Sequence, residues 1–148
     1  MNKVTLTIIS NLENARLAGL CAREVAYQAF DETSVAEIEL ATVEAVNNCI
    51  EHACAGSDKH QVSIKFWLTE DRLSIQMIDG GKAMSDSEWL DNLNSDFDFD
   101  DTDFENLPEG GMGLKIIKNC MDEVSYQQLD KHNRWLLIKY RLIAAQST

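Results

Sequence analysis

The chain has 148 residues, 45% hydrophobic and 26% charged, a composition typical of one soluble globular domain spanning residues 1–148. Its 13 basic and 25 acidic residues give a formal net charge of −12, which disfavours direct contact with nucleic-acid phosphates. No apolar run approaches the ~20 residues that span a bilayer, and a strand-like pattern stands where a signal peptide would begin, so we expect no membrane partner.

The first third of the chain predicts one strand and two helices. Residues 3–9 alternate between apolar and polar side chains, as in a half-buried strand. Ser10 followed by Glu13 fits a capping box and predicts a helix that runs to about Ala29. Ser34 followed by Glu37 fits a second capping box, and its helix is predicted to run to about residue 54.

The remaining elements predict a sheet covered by helices. Residues 62–68 and 73–77 alternate on either side of a polar turn and predict a hairpin. A helix over residues 113–121 is followed by strands over 123–129 and 134–142, which flank a predicted turn at 131–133. This order predicts an α+β fold, a two-layer sandwich in which helices cover one face of a mixed, mainly antiparallel sheet.

An acidic segment, residues 86–109, separates the hairpin from the last predicted helix. It holds ten acidic residues and no Lys or Arg, so the rest of the chain carries 13 positive against 15 negative charges, a net of −2. Aromatic residues interrupt it at Trp89, Phe97, Phe99 and Phe104. One interpretation is a solvated loop; the other is a docking segment whose charge steers a basic partner and whose aromatic residues anchor it.

Four cysteines occur, and none forms a CxxC pair. Cys49 and Cys54 lie close to His52, but on an α-helix the two thiols would point about 140° apart. Zinc sites usually need four convergent ligands, so the pattern favours reduced cysteines packed in the interior over a metal site. Reduced cysteines indicate a cytoplasmic setting.

One polar stripe on the second predicted helix holds side chains that could take part in catalysis or metal binding. Glu44, Asn48 and His52 are spaced four residues apart, opposite the apolar side of that helix. A solvated helix face explains such a stripe equally well. However, Asn47 and Asn48 are poor helix formers in the middle of a helix, and a carboxylate one turn from a carboxamide could activate a hydroxyl and hold Mg²⁺.

Two glycine-containing segments offer a base site and an anion site. Asp79 and Gly81 follow a strand. They form either an ordinary turn or a base site, in which Asp79 would accept from an exocyclic amine and glycine would let the base approach the backbone. Gly110, Gly111 and Gly113 precede a helix, either as a hinge or as a source of free backbone N–H groups for phosphate.

Taken together, the three segments resemble the N, G1 and G2 boxes of the GHKL (Bergerat-fold) ATPases, in the same order along the chain. Within that superfamily, the chain is most similar to the anti-sigma-factor serine kinases of the RsbW and SpoIIAB type. The resemblance covers about residues 3–142. Its most specific stretches are Glu44-Ala45-Val46-Asn47-Asn48 with His52, and Gly111-Met112-Gly113 followed by Met121-Asp122-Glu123-Val124.

The resemblance implies ATP and Mg²⁺ as cofactors and gives each matching residue a role. Glu44 would be the general base toward an acceptor hydroxyl, Asn48 would coordinate Mg²⁺ on the phosphates, and Asp79 would accept from the adenine amine. An ATP lid would span about residues 84–112. The other residues assigned to the nucleotide are His52, Gly81, Ala83, Gly110, Gly111, Met112, Gly113 and Leu114, with Ala83 standing where relatives often have glycine.

The implied function is an ATP-dependent serine/threonine-protein kinase that is also an anti-sigma factor in a partner-switching pathway. It would phosphorylate a STAS-domain anti-sigma-factor antagonist, hold a sigma factor or another regulator, and form a homodimer. Two alternatives stay open: a nucleotide-binding regulatory module without phosphotransfer, favoured by the acidic lid, and an interaction protein that has lost ATP.

Overall fold

The structure, a computed structural model, describes residues 2–54, 59–80 and 112–142. The predicted lid at about residues 84–112 lies outside this description except for Met112. None of the described helices is both long enough and apolar enough to cross a membrane. The described elements are β1 (Asn2–Ile9), α1 (Leu12–Ala26), α2 (Glu32–Asn48) with a π-helical turn (Cys49–Ala53), β2 (Gln61–Leu68), β3 (Arg72–Asp79), α3 (Met112–Cys120), β4 (Glu123–Leu129) and β5 (His132–Tyr140).

The five described strands form one sheet in the order β1-β2-β3-β5-β4, and all four pairings are antiparallel. Along β2 and β3 every second side chain is buried, because the pleat turns alternate residues toward the helices. The helices lie over that face, with α2 packed between α1 and α3. The structure thus confirms the α+β sandwich that the order of elements predicts.

The interface of α1 and α2 depends on one close approach. A Cβ atom at Gly19 of α1 would lie 2.5 Å from Cγ2 of Val43 on α2, a distance that side chains cannot tolerate. Ala15, Ala18 and Ala22 on the same face are fully buried. Small side chains therefore let the two helix backbones approach, which sets α2 firmly over the sheet.

Both predicted capping boxes are wrong, by one residue in α1 and by three in α2. Asn11 caps α1, since its side chain accepts from the backbone N–H of Glu13 at 2.8 Å. Asp31 caps α2 by accepting from the backbone N–H of Ser34, also at 2.8 Å. In each case an Asn or Asp just upstream, in extended backbone conformation, reaches the free N–H groups first. Ser10 is instead buried and accepts from the N–H of His60 at 3.2 Å.

The last hairpin turns earlier than predicted. Asp130 has a left-handed φ of 45°, and Leu129 pairs directly with His132, so the turn consists of residues 130–131. The prediction of a turn at 131–133 was wrong because three polar residues in a row concealed the start of β5. As a consequence Asn133 lies inside the strand, on the buried face.

Candidate nucleotide-binding site

One end of the site, here called the base end, is built around Asp79. This residue closes β3, where the alternation that buries Met77 also buries Asp79, leaving it 1% exposed. Its Oδ1 accepts from Nδ2 of Asn133, the residue directly opposite on β5, at 2.9 Å. Oδ1 of Asn133 in turn accepts from the hydroxyl of Tyr126 on β4 at 3.0 Å. The carboxylate is therefore held by a chain of hydrogen bonds across three strands.

A buried thiol reaches the same carboxylate from the helix layer. Cys49 begins the π-helical turn after α2 and is hydrogen-bonded to Asp79. Burial, followed by the negative charge of Asp79 and this hydrogen bond, raises the pKa of Cys49 well above its ordinary value. The thiol therefore stays protonated at neutral pH and acts as a hydrogen-bond donor rather than a nucleophile.

The π-helical turn corrects the prediction that α2 continues regularly to Cys54. The N–H of Cys54 donates to the carbonyl of Cys49 at 3.0 Å, so residues five apart come to about the same side. Burial and then the charge of Asp79 raise the pKa of Cys54 as well, which places both cysteines near this carboxylate. Within the described ranges, no three His, Cys, Asp or Glu side chains converge in a way that could hold a metal ion.

The opposite end, here called the phosphate end, lies between α2 and α3. Glu44 and Asn48 stand one turn apart on α2, as predicted, but they do not form an open solvated stripe. A Cβ atom on Gly113 of α3 would lie 3.2 Å from Oε2 of Glu44 and 3.4 Å from Oδ1 of Asn48. Glycine at this position thus lets α3 close over the stripe, which leaves Asn48 only 8% exposed and Glu44 half-buried.

One buried polar atom of the phosphate end has no hydrogen-bond partner among the described residues. Nδ2 of Asn48 is buried and has no hydrogen-bond acceptor among the described residues. Burial, and secondarily the negative charge of Glu51, raise the pKa of Glu44 above its ordinary value. A buried amide donor and a carboxyl with a raised pKa are features of a site that a ligand completes.

The remaining predicted site residues are only partly placed by the structure. The segments holding Gly81, Ala83, Gly110 and Gly111 lie outside the described residues, as do the side chains of His52 and Met112. The side chain of Leu114 is buried in the core, so its predicted contact with nucleotide concerns the backbone.

Three residues of the site were missed by the sequence analysis: Tyr126, Asn133 and Cys49 in its role as a donor. A signal existed for Asn133, because it alternates with Trp135 and Leu137, both buried. Starting the strand at residue 132 would have placed Asn133 on the inner face. Nothing in the spacing predicts the π-helical turn that brings Cys49 to Asp79.

An ion pair anchors the helix that closes the phosphate end. Nζ of Lys139 on β5 lies 2.6 Å from Oε2 of Glu37 on α2 and donates to the carbonyl of Cys120, the last residue of α3. A cation at the carboxyl end of a helix also complements the helix dipole. The position of Gly113 at the other end of α3 is thereby tied to both layers of the fold.

Comparisons with known proteins show the family to which the chain belongs. The family model of the histidine kinase-like ATPase domain matches residues 8–139. A serine-protein kinase RsbW from Bacillus cereus is 30% identical over 141 residues, which are 93% of this chain and 84% of that protein. Serine-protein kinase RsbW from Listeria monocytogenes is 27% identical over 124 residues, 83% of this chain and 78% of that protein.

Solved structures show the same fold. The RsbU and RsbW domains of a Mycobacterium tuberculosis protein superpose with a TM-score of 0.60 at 18% identity over 95% of this chain, which spans 33% of that longer chain. A mycobacterial sensor histidine kinase, MprB, superposes with a TM-score of 0.56 at 11% identity over 93% of this chain and 98% of its own. These likenesses confirm the predicted ATPase fold.

Proposed function

Because the chain belongs to the histidine kinase-like ATPase domain family, in the branch of the RsbW serine-protein kinases, we propose that it binds ATP with Mg²⁺ and transfers the terminal phosphoryl group to a serine or threonine of a protein. The observation that carries the proposal is the convergence of Glu44, Asn48 and Gly113 at one end of the site. They come from two segments far apart in the sequence, yet a Cβ atom at Gly113 would lie 3.2 Å from Oε2 of Glu44 and 3.4 Å from Oδ1 of Asn48.

The phosphate end fits the nucleotide and its metal chemically. The carboxamide of Asn48 offers an oxygen to a hard cation and an N–H to an anion, and its buried Nδ2 lacks an acceptor in the described part of the chain. Mg²⁺ held there would neutralise charge on the phosphates. We assign the remaining phosphate contacts to the backbone of residues 110–114 and the base contacts to Asp79, with Gly81, Ala83 and His52 as neighbours of the nucleotide.

Glu44 is the proposed general base toward the acceptor hydroxyl. Its half-buried setting raises its pKa, so its carboxylate is a stronger base than an exposed glutamate at the same pH. The transfer itself requires little covalent chemistry from the protein, because positioning and charge neutralisation dominate phosphoryl transfer. Because Gly113 has no side chain, α3 approaches this carboxylate closely.

The proposed protein partners are a STAS-domain antagonist as phosphoacceptor and a sigma factor or another regulator as the sequestered protein, with the chain itself as a homodimer. The RsbW names of the relatives support a serine in a protein as the acceptor. The net charge of −12 favours basic protein surfaces over nucleic acid as partners. The cytoplasm is the proposed setting, where thiols stay reduced.

A transfer assay with terminally labelled ATP, Mg²⁺ and a purified STAS-domain protein tests the proposal. We expect label on a serine or threonine, and Glu44→Gln should lower the transfer rate by roughly 10²–10⁴-fold while leaving ATP affinity within about threefold. Glu24→Gln, on the exposed face of α1, is the matched control and should transfer at the wild-type rate. Equal rates for Glu44→Gln and wild type would contradict the assignment of the base.

The second candidate is a regulatory module that binds ATP without transferring phosphate. The observation that favours it is the acidic segment at residues 86–109, since its ten acidic residues immediately precede in sequence the glycines proposed to bind the phosphates, and like charges repel. Tight ATP binding with no labelled protein in the transfer assay would favour this module. Absence of ATP binding would favour the plain interaction protein.

A further inference from the structure

The hydrogen-bond chain behind Asp79 extends further than the nucleotide contact requires. It begins at the hydroxyl of Tyr126, passes through the carboxamide of Asn133 and ends at the Asp79 carboxylate, with distances of 3.0 and 2.9 Å. Asp79 and Asn133 are each 1% exposed, and Tyr126 is half-buried. The ring of Tyr126 packs edge-on against buried Trp135, with centroids 5.2 Å apart, so the hydroxyl starts from a fixed position.

The chemistry of these groups gives the chain one direction. A carboxylate only accepts hydrogen bonds, so Asn133 must turn its NH₂ group toward Asp79. The carbonyl of the same carboxamide then faces Tyr126, whose hydroxyl must donate to it. Rotating the carboxamide would bring its oxygen against the carboxylate and its NH₂ against the hydroxyl of Tyr126. The carboxylate thus sets the orientation in which Asn133 donates to it, and the hydroxyl of Tyr126 holds the carboxamide there by donating to its oxygen.

We propose that Tyr126 and Asn133 are positioning residues that hold Asp79 as an acceptor and thereby make the site selective for a purine with an amine at its six position. This inference rests on the proposed binding of ATP at Asp79. Both oxygens of a carboxylate accept hydrogen bonds, so Asp79 can accept an N–H of the base while it accepts from Asn133. Adenine presents an amine donor at its six position, whereas guanine presents an oxygen there that the carboxylate would repel.

The test measures selectivity rather than affinity alone. Dissociation constants are determined for ATP, for GTP and for the triphosphate of purine riboside, which lacks the amine, each with Mg²⁺. The decisive quantity is the ratio of the affinity for ATP to that for the amine-free analogue. Tyr126→Phe should lower this ratio about 3–10-fold, corresponding to the net worth of one buried hydrogen bond, mainly through weaker ATP binding. Asn133→Leu should lower it further, because it removes the direct donor to Asp79.

A double variant and a matched control separate this role from a general loss of structure. Since both residues act through one chain, Tyr126→Phe added to Asn133→Leu should lower the ratio no further. Tyr140→Phe is the control. This tyrosine lies on the opposite face of the sheet and is hydrogen-bonded to Glu123, so removing its hydroxyl should leave the ratio unchanged. If Asn133→Leu does not fold, the ratio for Tyr126→Phe alone decides.

Each outcome bears on a different claim. ATP binding by the wild type with an unchanged ratio in Tyr126→Phe would overturn this inference and leave the proposed function standing. Failure of the wild type to bind ATP would overturn the proposed function and this inference with it. A lower ratio in Tyr126→Phe and a wild-type ratio in Tyr140→Phe would support the inference.

Discussion

The two ends of the site differ in how the protein holds their polar side chains. At the base end, the carboxylate of Asp79 accepts from Asn133 and Cys49 before any ligand is considered. At the phosphate end, Nδ2 of Asn48 lacks an acceptor within the described residues, and burial opposes the charged form of Glu44. The base end is thus oriented by a chain of hydrogen bonds, and the buried donor at the phosphate end is one that a ligand would satisfy.

This difference has an energetic meaning. A buried donor without a partner costs about 1–3 kcal/mol relative to a satisfied one, a large share of the 5–15 kcal/mol that stabilises a typical domain. The phosphate end therefore lowers the stability of the protein without nucleotide and makes binding more favourable. Such a conflict between stability and function is common at active sites.

A large effect that would sharpen the contrast is expected for Asn48→Leu. Removing the carboxamide should weaken ATP binding in the presence of Mg²⁺ by about 10–100-fold, since hydrogen bonds to charged groups contribute about 1.5–3 kcal/mol. Without nucleotide, the same change should raise the free energy of unfolding by up to about 1 kcal/mol, because it removes an unsatisfied buried donor. Calorimetric titration and urea unfolding measure the two quantities.

Asn47→Leu is the matched control for that experiment, because Asn47 is the neighbouring residue on α2 and only half-buried. It should change neither the Mg²⁺-dependent affinity nor the stability by a comparable amount. Loss of stability in Asn48→Leu, together with unchanged ATP affinity, would contradict the contrast between the two ends.

A smaller effect concerns pH. The transfer rate should rise with pH as Glu44 loses its proton, with an inflection above the ~4.3 of an ordinary glutamate. Glu51→Gln removes the like charge that contributes to the raised pKa, so the inflection should move to lower pH. Transfer rates measured from about pH 4 to 8 give the inflection of the wild type and that of Glu51→Gln, with Glu24→Gln as the control. An inflection unaffected by Glu51→Gln would argue against Glu44 as the titrating group.

The same shift has a consequence for stability. Because the pKa of Glu44 is raised in the folded state, the protonated form favours folding. The contribution of this residue to stability is therefore fully present below the pKa of the unfolded chain and is lost as the pH rises through the folded pKa. Replacing Glu44 by Gln should consequently not lower the free energy of unfolding at neutral pH.

Sequence reasoning anticipated the phosphate end better than the base end. Glu44 and Asn48 follow from helical spacing, and a glycine before a helix directs attention to Gly113, so local patterns suffice. The hydrogen bonds of Asp79, by contrast, depend on which residue of β5 lies opposite it. That pairing joins strands far apart in the sequence, and the polar run at 131–133 concealed that Asn133 belongs to β5. Long-range register and the π-helical turn are tertiary properties that no local pattern encodes.

The central claim, that one nucleotide occupies both ends of the site, is tested most directly by titrating ATP and Mg²⁺ into the wild type and into Asp79→Asn. Asp79→Asn removes the carboxylate that accepts from Asn133 and, as proposed, from the amine of the base. ATP binding should therefore weaken by about 100-fold or more. Asp71→Asn, in the exposed turn at the far end of β3, is the control and should bind ATP as the wild type does. Equal ATP affinity in Asp79→Asn and the wild type would contradict the claim.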